Sequence, residues 1–94
     1  MFTHVVLFKL VDPVADVERV RQGLLALRDE VPGILGLEVG VDVLRQERSY
    51  DVALIVRFDS RAAHDAYQAH PAHRAFAELL RPLRSHVAAV DFEL

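Results

Sequence analysis

Phe2-Thr3-His4-Val5-Val6-Leu7-Phe8-Lys9-Leu10 is the stretch on which the fold turns. Its residues are mostly β-branched or aromatic. Alternation puts Phe2, His4, Val6, Phe8 and Leu10 on one face and Thr3, Val5 and Leu7 on the other. A strand with one wet face would show polar residues on that face, so this one is expected to be covered on both sides. Asp12-Pro13 follows, an N-cap residue with proline at the first helical position. Val17, Val20, Leu24, Leu27 and Val31 then recur at spacings of 3, 4, 3 and 4, the apolar stripe of a helix that Pro32-Gly33 stops.

Further along, Ile34 to Val43 reads as a second strand, with Leu35, Leu37, Val39 and Val41 on one face against Gly36, Glu38, Gly40 and Asp42. Arg45 to Ser49 is a polar turn. Tyr50 to Phe58 is a third strand carrying Val52, Leu54, Val56 and Phe58 on one side. Asp59-Ser60 caps a helix over residues 61–69, and His70-Pro71 restarts one whose apolar side is Phe76, Leu79, Leu80 and Leu83. Pro82 makes its last turn irregular. His86 to Leu94 is the final strand. The order β-α-β-β-α-β, without repeat or linker, predicts one ferredoxin-like α+β domain over residues 1–94, with a four-stranded antiparallel sheet and its helices on one face.

Composition sets the partners. A chain of 94 residues buries roughly 60–65% of its unfolded surface. Yet 52% of its residues are hydrophobic and its mean hydropathy is +0.18. A second copy covering the open sheet face, to form a dimeric α+β barrel, accommodates that surplus. The absence of cysteine removes disulfides, thiolate metal sites and cysteine nucleophiles. Net charge is -3, Lys9 is the only lysine and the arginines are interspersed with acids. No basic stripe suits nucleic acid. No apolar run suits a bilayer and no signal segment is visible, so the expected location is cytoplasmic. Gly-rich phosphate loops and the hydrolase elbow are absent as motifs.

Chemistry concentrates in Tyr67-Gln68-Ala69-His70-Pro71-Ala72-His73. A tyrosine hydroxyl polarises a carbonyl and a neutral imidazole removes an acidic proton beside it, a combination suited to enolisation or aldol-type closure. On the competing reading, Tyr67 is an amphipathic core residue with its hydroxyl at the surface, His70 caps the helix that Pro71 begins, and His73 is solvated. His4, on an otherwise apolar face, is either a hydrogen-bonded core histidine or an acid/base partner sharing a cavity with His73. His64 and His86 read as surface residues at element ends. Glu38, Asp42 and Arg57 read as a charge network on the more polar face. His70 and His73, with His64 upstream, make too sparse a set for a structural zinc site, and neither metal nor cofactor is called for.

The whole chain resembles the stress-responsive A/B barrel domain (Dabb) family. The resemblance is carried by the opening His4 to Leu10, by Ile34 to Gly40, by Tyr50 to Leu54, by Tyr67 to His73 and by the closing Val90-Asp91-Phe92. It implies a ferredoxin-like protomer that pairs into a dimeric barrel. The family includes heat-stable plant stress proteins and a plant polyketide cyclase, similar to olivetolic acid cyclase, that closes a ring by intramolecular aldol condensation. The resemblance implies His73 as base, Tyr67 as its assistant and His4 as helper, acting on a small apolar carbonyl compound. A further pocket histidine of that enzyme falls at Val52 here, which is a departure. The alternative implied role is a stress-responsive or structural homodimer with no substrate. Haem-degrading monooxygenases share the dimeric barrel but rely on a tryptophan that this chain lacks.

Overall fold

The computed structural model describes all 94 residues. Its elements run β1 (Phe2–Leu10), α1 (Pro13–Glu30), β2 (Gly36–Val41), β3 (Val52–Phe58), α2 (Arg61–Ala69), α3 (Pro71–Leu80) and β4 (Arg84–Glu93). The strands form one antiparallel sheet in the order β2-β3-β1-β4. This is the ferredoxin-like α+β fold, with the second helix of the expected pattern broken in two at His70. Strand ends differ from the sequence reading by two residues or so. β2 and β3 are shorter than expected because residues 42–51 form a wider connection, and β4 begins earlier, at Arg84.

Alternation in β1 and β3 decides which side is core. Phe2, Val6, Phe8 and Leu10 from β1 and Val52, Leu54, Val56 and Phe58 from β3 are all buried under the helices. Val20, Leu24 and Leu27 of α1, with Val31 at its C-cap, close over them, as the 3,4 spacing requires. The expected cover on both faces of β1 is not present within the protomer. Val5 and Leu7 on the opposite face are only half-buried, as are Ala53 and Ile55 of β3 beside them. No helix is long and apolar enough to cross a membrane.

Local chemistry fixes the joints. Asp12 accepts from the Ala15 N–H at 3.2 Å to start α1, and Gly33, at φ 91°, makes the left-handed turn that ends it. Ser60 caps α2 through the Ala63 N–H at 3.2 Å. The strand irregularity at Lys9/Leu10 coincides with Asp51, which lies buried beside it and accepts the Leu10 N–H at 2.7 Å. Burial would push the Asp51 carboxyl up, but that bond and the Arg45 guanidinium at 2.7 Å hold it below the ordinary carboxylate value.

Candidate active site

His70 does two jobs at the break between α2 and α3. Its N–H caps the end of α2 on the Tyr67 carbonyl at 3.1 Å, and its ring Nδ1 accepts from the Ala72 N–H at 3.1 Å to open α3. Extended backbone is what the residue before proline prefers, and Pro71 supplies the first helical φ. The capping expectation for His70 is met. The consequence is geometric: the bend brings the Tyr67 ring, from the last turn of α2, to 4.5 Å from the His73 ring in the first turn of α3.

Both rings line a cavity of about 310 Å³ between the sheet and α1 and α3. Eleven of its sixteen lining residues are hydrophobic, among them Leu24, Leu27, Leu54, Phe76 and Leu80, so its wall is mainly apolar. His4 reaches the same cavity from β1, with its ring 6.1 Å from Tyr67 in an edge-on arrangement. All three sequence-predicted residues therefore meet in one place. Val87 and Ala89 of the edge strand β4 form its outer wall and are solvent-exposed, so the cavity opens along that edge.

Electrostatics separate the two titratable partners. Tyr67 is only 1% exposed and its hydroxyl has no hydrogen-bond partner. Burial pushes its pKa up to about 12, so it remains a proton donor at any physiological pH. The expectation of a tyrosine whose hydroxyl sits at the surface is thus corrected. The α2–α3 bend tucks the ring against Phe58 and His4 instead. His73 is half-buried rather than solvated, and its Nδ1 finds no acceptor of good geometry. Burial lowers its pKa from the ordinary value; the neighbouring Gln68 carbonyl opposes this, while the charges of His4 and His64 add to it. The result is a neutral imidazole beside a protonated phenol.

His4 is held from the other side. Its Nδ1 pairs with Asp91, its direct cross-strand partner on β4. Sequence reading did not find Asp91 as a partner for His4; the signal was available only through register, because an antiparallel β1–β4 pair must place some β4 residue beside His4. His64 is a second correction. It was expected at the surface, yet its side chain is 14% exposed and its ring stacks 4.7 Å from Phe2 and 4.9 Å from His4. It lies on the inward side of α2, one turn before Tyr67, which is why it faces the sheet. His86 is exposed, as expected. Arg57 and Glu38 form the anticipated pair at 2.9 Å, while Asp42 pairs with Arg45 at 3.2 Å instead of joining them.

The model of the Stress responsive A/B Barrel Domain (Dabb) matches residues 2–94. The chain belongs to the Dabb family. Among solved structures, a dimeric ferredoxin-like protein of unknown function from Thermobifida fusca is 32% identical to it, with 99% of this chain and 90% of that chain covered at a TM-score of 0.86. A dimeric protein of unknown function from Bacteroides fragilis is 27% identical, with coverage of 99% and 95% at a TM-score of 0.87. An antibiotic biosynthesis monooxygenase is 16% identical, with coverage of 100% and 98% at a TM-score of 0.80, a likeness of fold alone. No curated protein matches the sequence.

Proposed function

We propose that this Dabb protein abstracts a proton beside a carbonyl in a small apolar polyketide-like compound, and that the resulting enolate closes a ring by an aldol-type step. The observation that carries this reading is the convergence of a neutral imidazole, a protonated phenol without a partner and a second imidazole on one apolar cavity. In this scheme the Tyr67 hydroxyl donates to the substrate carbonyl oxygen, while His73 takes the proton from the adjacent carbon. The C–H electron pair becomes the enolate, whose oxygen Tyr67 stabilises. The enolate carbon then forms a C–C bond to a second carbonyl of the same molecule, and the alkoxide produced there takes up the proton that His73 holds. His4, fixed by Asp91, orients the substrate from the sheet side. The orphaned Tyr67 hydroxyl supports this assignment, because a buried O–H without a partner costs about 1–3 kcal/mol unless a ligand supplies one.

The same reading places the working form as a homodimer joined through the open sheet face, where Val90 and Phe92 stand exposed beside half-buried Val5, Leu7 and Ile55. Similar proteins are dimeric. The competing role, a homodimer with no substrate, rests on that same face and predicts no turnover. Deuterium exchange into the activated methylene of a β-diketone, followed by NMR, separates the two. Wild-type protein is expected to accelerate exchange, and His73→Ala to slow it by about 10²–10⁴-fold. Exchange equal in wild type and variant removes His73 as the base.

A further inference from the structure

A second constellation lies beside the candidate catalytic cavity; it shares His4, and the Asp91 that fixes it, with the proposed site and adds His64. His4, His64 and Asp91 each present a donor atom within 4.8 Å of the other two. His4 and Asp91 are fixed by direct pairing between β1 and β4, and His64 comes from α2 above them. His64 Nε2 is the telling atom. It is buried with no hydrogen-bond partner, and it stands 3.9 Å from Asp91 Oδ1. This unsatisfied imidazole nitrogen faces a carboxylate that already holds a second imidazole, and a cation among the three would take the place of the His4–Asp91 hydrogen bond.

The surroundings fit such a cation. The other nitrogen of His64, Nδ1, lies 3.1 Å from the Asp65 carboxylate. A carboxylate on the far nitrogen fixes the tautomer and turns the near nitrogen toward a metal. Donors bound at about 2.0–2.2 Å in a tetrahedral set stand about 3.3–3.6 Å from each other. The 3.9 Å between His64 Nε2 and Asp91 must therefore shorten slightly, and the direct His4–Asp91 contact must open to admit the ion. Asp91 and His64 also line a separate recess with Phe2, Arg61, Asp65 and Glu93, which leaves room for water as a further ligand. Arg61, the cation of that recess, stands 3.9 Å from Asp65.

We infer that His4, His64 and Asp91 bind one divalent transition-metal ion of the zinc class per protomer, with Asp65 orienting His64. Two imidazoles and one carboxylate favour such ions over magnesium or calcium, which prefer all-oxygen sets. The site goes beyond the proposed carbonyl chemistry, and its test does not need turnover. Full-length, tag-free, chelator-treated protein is titrated with zinc sulfate by calorimetry and with cobalt chloride by visible absorption. The expected result is one ion per protomer and a cobalt spectrum of a low-symmetry nitrogen–oxygen site. His64→Ala and Asp91→Asn are expected to weaken binding at least tenfold, Asp65→Asn by a smaller factor, and His86→Ala not at all. Circular dichroism of the metal-free variants separates lost ligation from lost folding, and His64→Gln serves if His64→Ala unfolds. Absence of saturable binding in wild type, or binding that His64 and Asp91 substitutions leave unchanged, overturns the assignment.

Discussion

Under the proposed chemistry, stability and function pull apart at Tyr67 and His73. Tyr67 holds a hydroxyl in the interior with nothing to bond to, and a residue kept for stability alone would be phenylalanine. Tyr67→Phe is therefore expected to leave stability unchanged or raise it by about 1 kcal/mol in denaturant unfolding, while it lowers the deuterium-exchange rate. A variant that loses stability would show that the hydroxyl has a partner after all. For His73 the prediction concerns pH. The unfolded side chain titrates near 6.5 and the folded one lower, chiefly through burial. Between those two values the unfolded chain binds a proton that the folded chain does not, so acidification favours unfolding. Stability should rise with pH through that window and level off above about 6.5. Denaturant midpoints measured across the window should show a shallower slope for His73→Gln than for wild type. Equal slopes would mean that His73 titrates as a solvated residue.

Among the elements, the contact between α1 and α3 is the most exacting. A Cβ built on Gly23 would lie 2.0 Å from the Phe76 ring, far inside any real contact. Glycine in mid-helix costs about 1 kcal/mol relative to alanine, so only close packing justifies it here. Gly23→Ala should gain that propensity yet lose more as Phe76 is driven out of place, a net destabilisation of about 1–2 kcal/mol. Phe76 also lines the cavity, so ligand binding should weaken too. The double variant Gly23→Ala/Phe76→Leu should recover much of the loss; if the single variant is more stable than wild type, the ring has somewhere to go. Elements were the part most legible in sequence. The 3,4 stripe of α1, the Ser60 cap and the His70-Pro71 break each depend on residues a few positions apart, and all stand where local chemistry put them. What stayed illegible depends on register and tertiary contact. The Asp51 bond to the Leu10 N–H spans 41 residues and the His4–Asp91 pair spans 87, and neither leaves a mark in local pattern. His64 looked like a helix-start surface residue because its inward face is set by where α2 lies on the sheet.

At the scale of the whole molecule, the helices cover one face of the sheet, and the other carries an apolar strip across β1 and β4 beside the Arg57–Glu38 pair. The second apolar side was readable from β1 alone, whose alternate residues are apolar on both sides, and the protomer leaves it half-open at Val5 and Leu7. The face continues across β4, where Val90 is 63% exposed and Phe92 38% exposed. Apolar area of that kind, continuous across neighbouring strands, is stabilised by a self-complementary partner. A two-fold axis through this face would bring the same residues of both copies together, so one charge introduced there meets its twin or is stripped of water with no counter-ion. Val90 is exposed enough that Val90→Asp should leave the protomer folded. Wild-type protein at micromolar concentration is expected to sediment at twice the 10.6 kDa protomer mass, and Val90→Asp at the protomer mass with an unchanged circular dichroism spectrum. A wild-type protein that sediments as a single copy would leave this face without its cover, and a variant that stays dimeric would move the interface elsewhere. Because Val87 and Ala89 of the same strand wall the cavity, a partner seated along β4 would also narrow its mouth, so dissociation should weaken ligand binding even though His4, Tyr67 and His73 all come from one protomer.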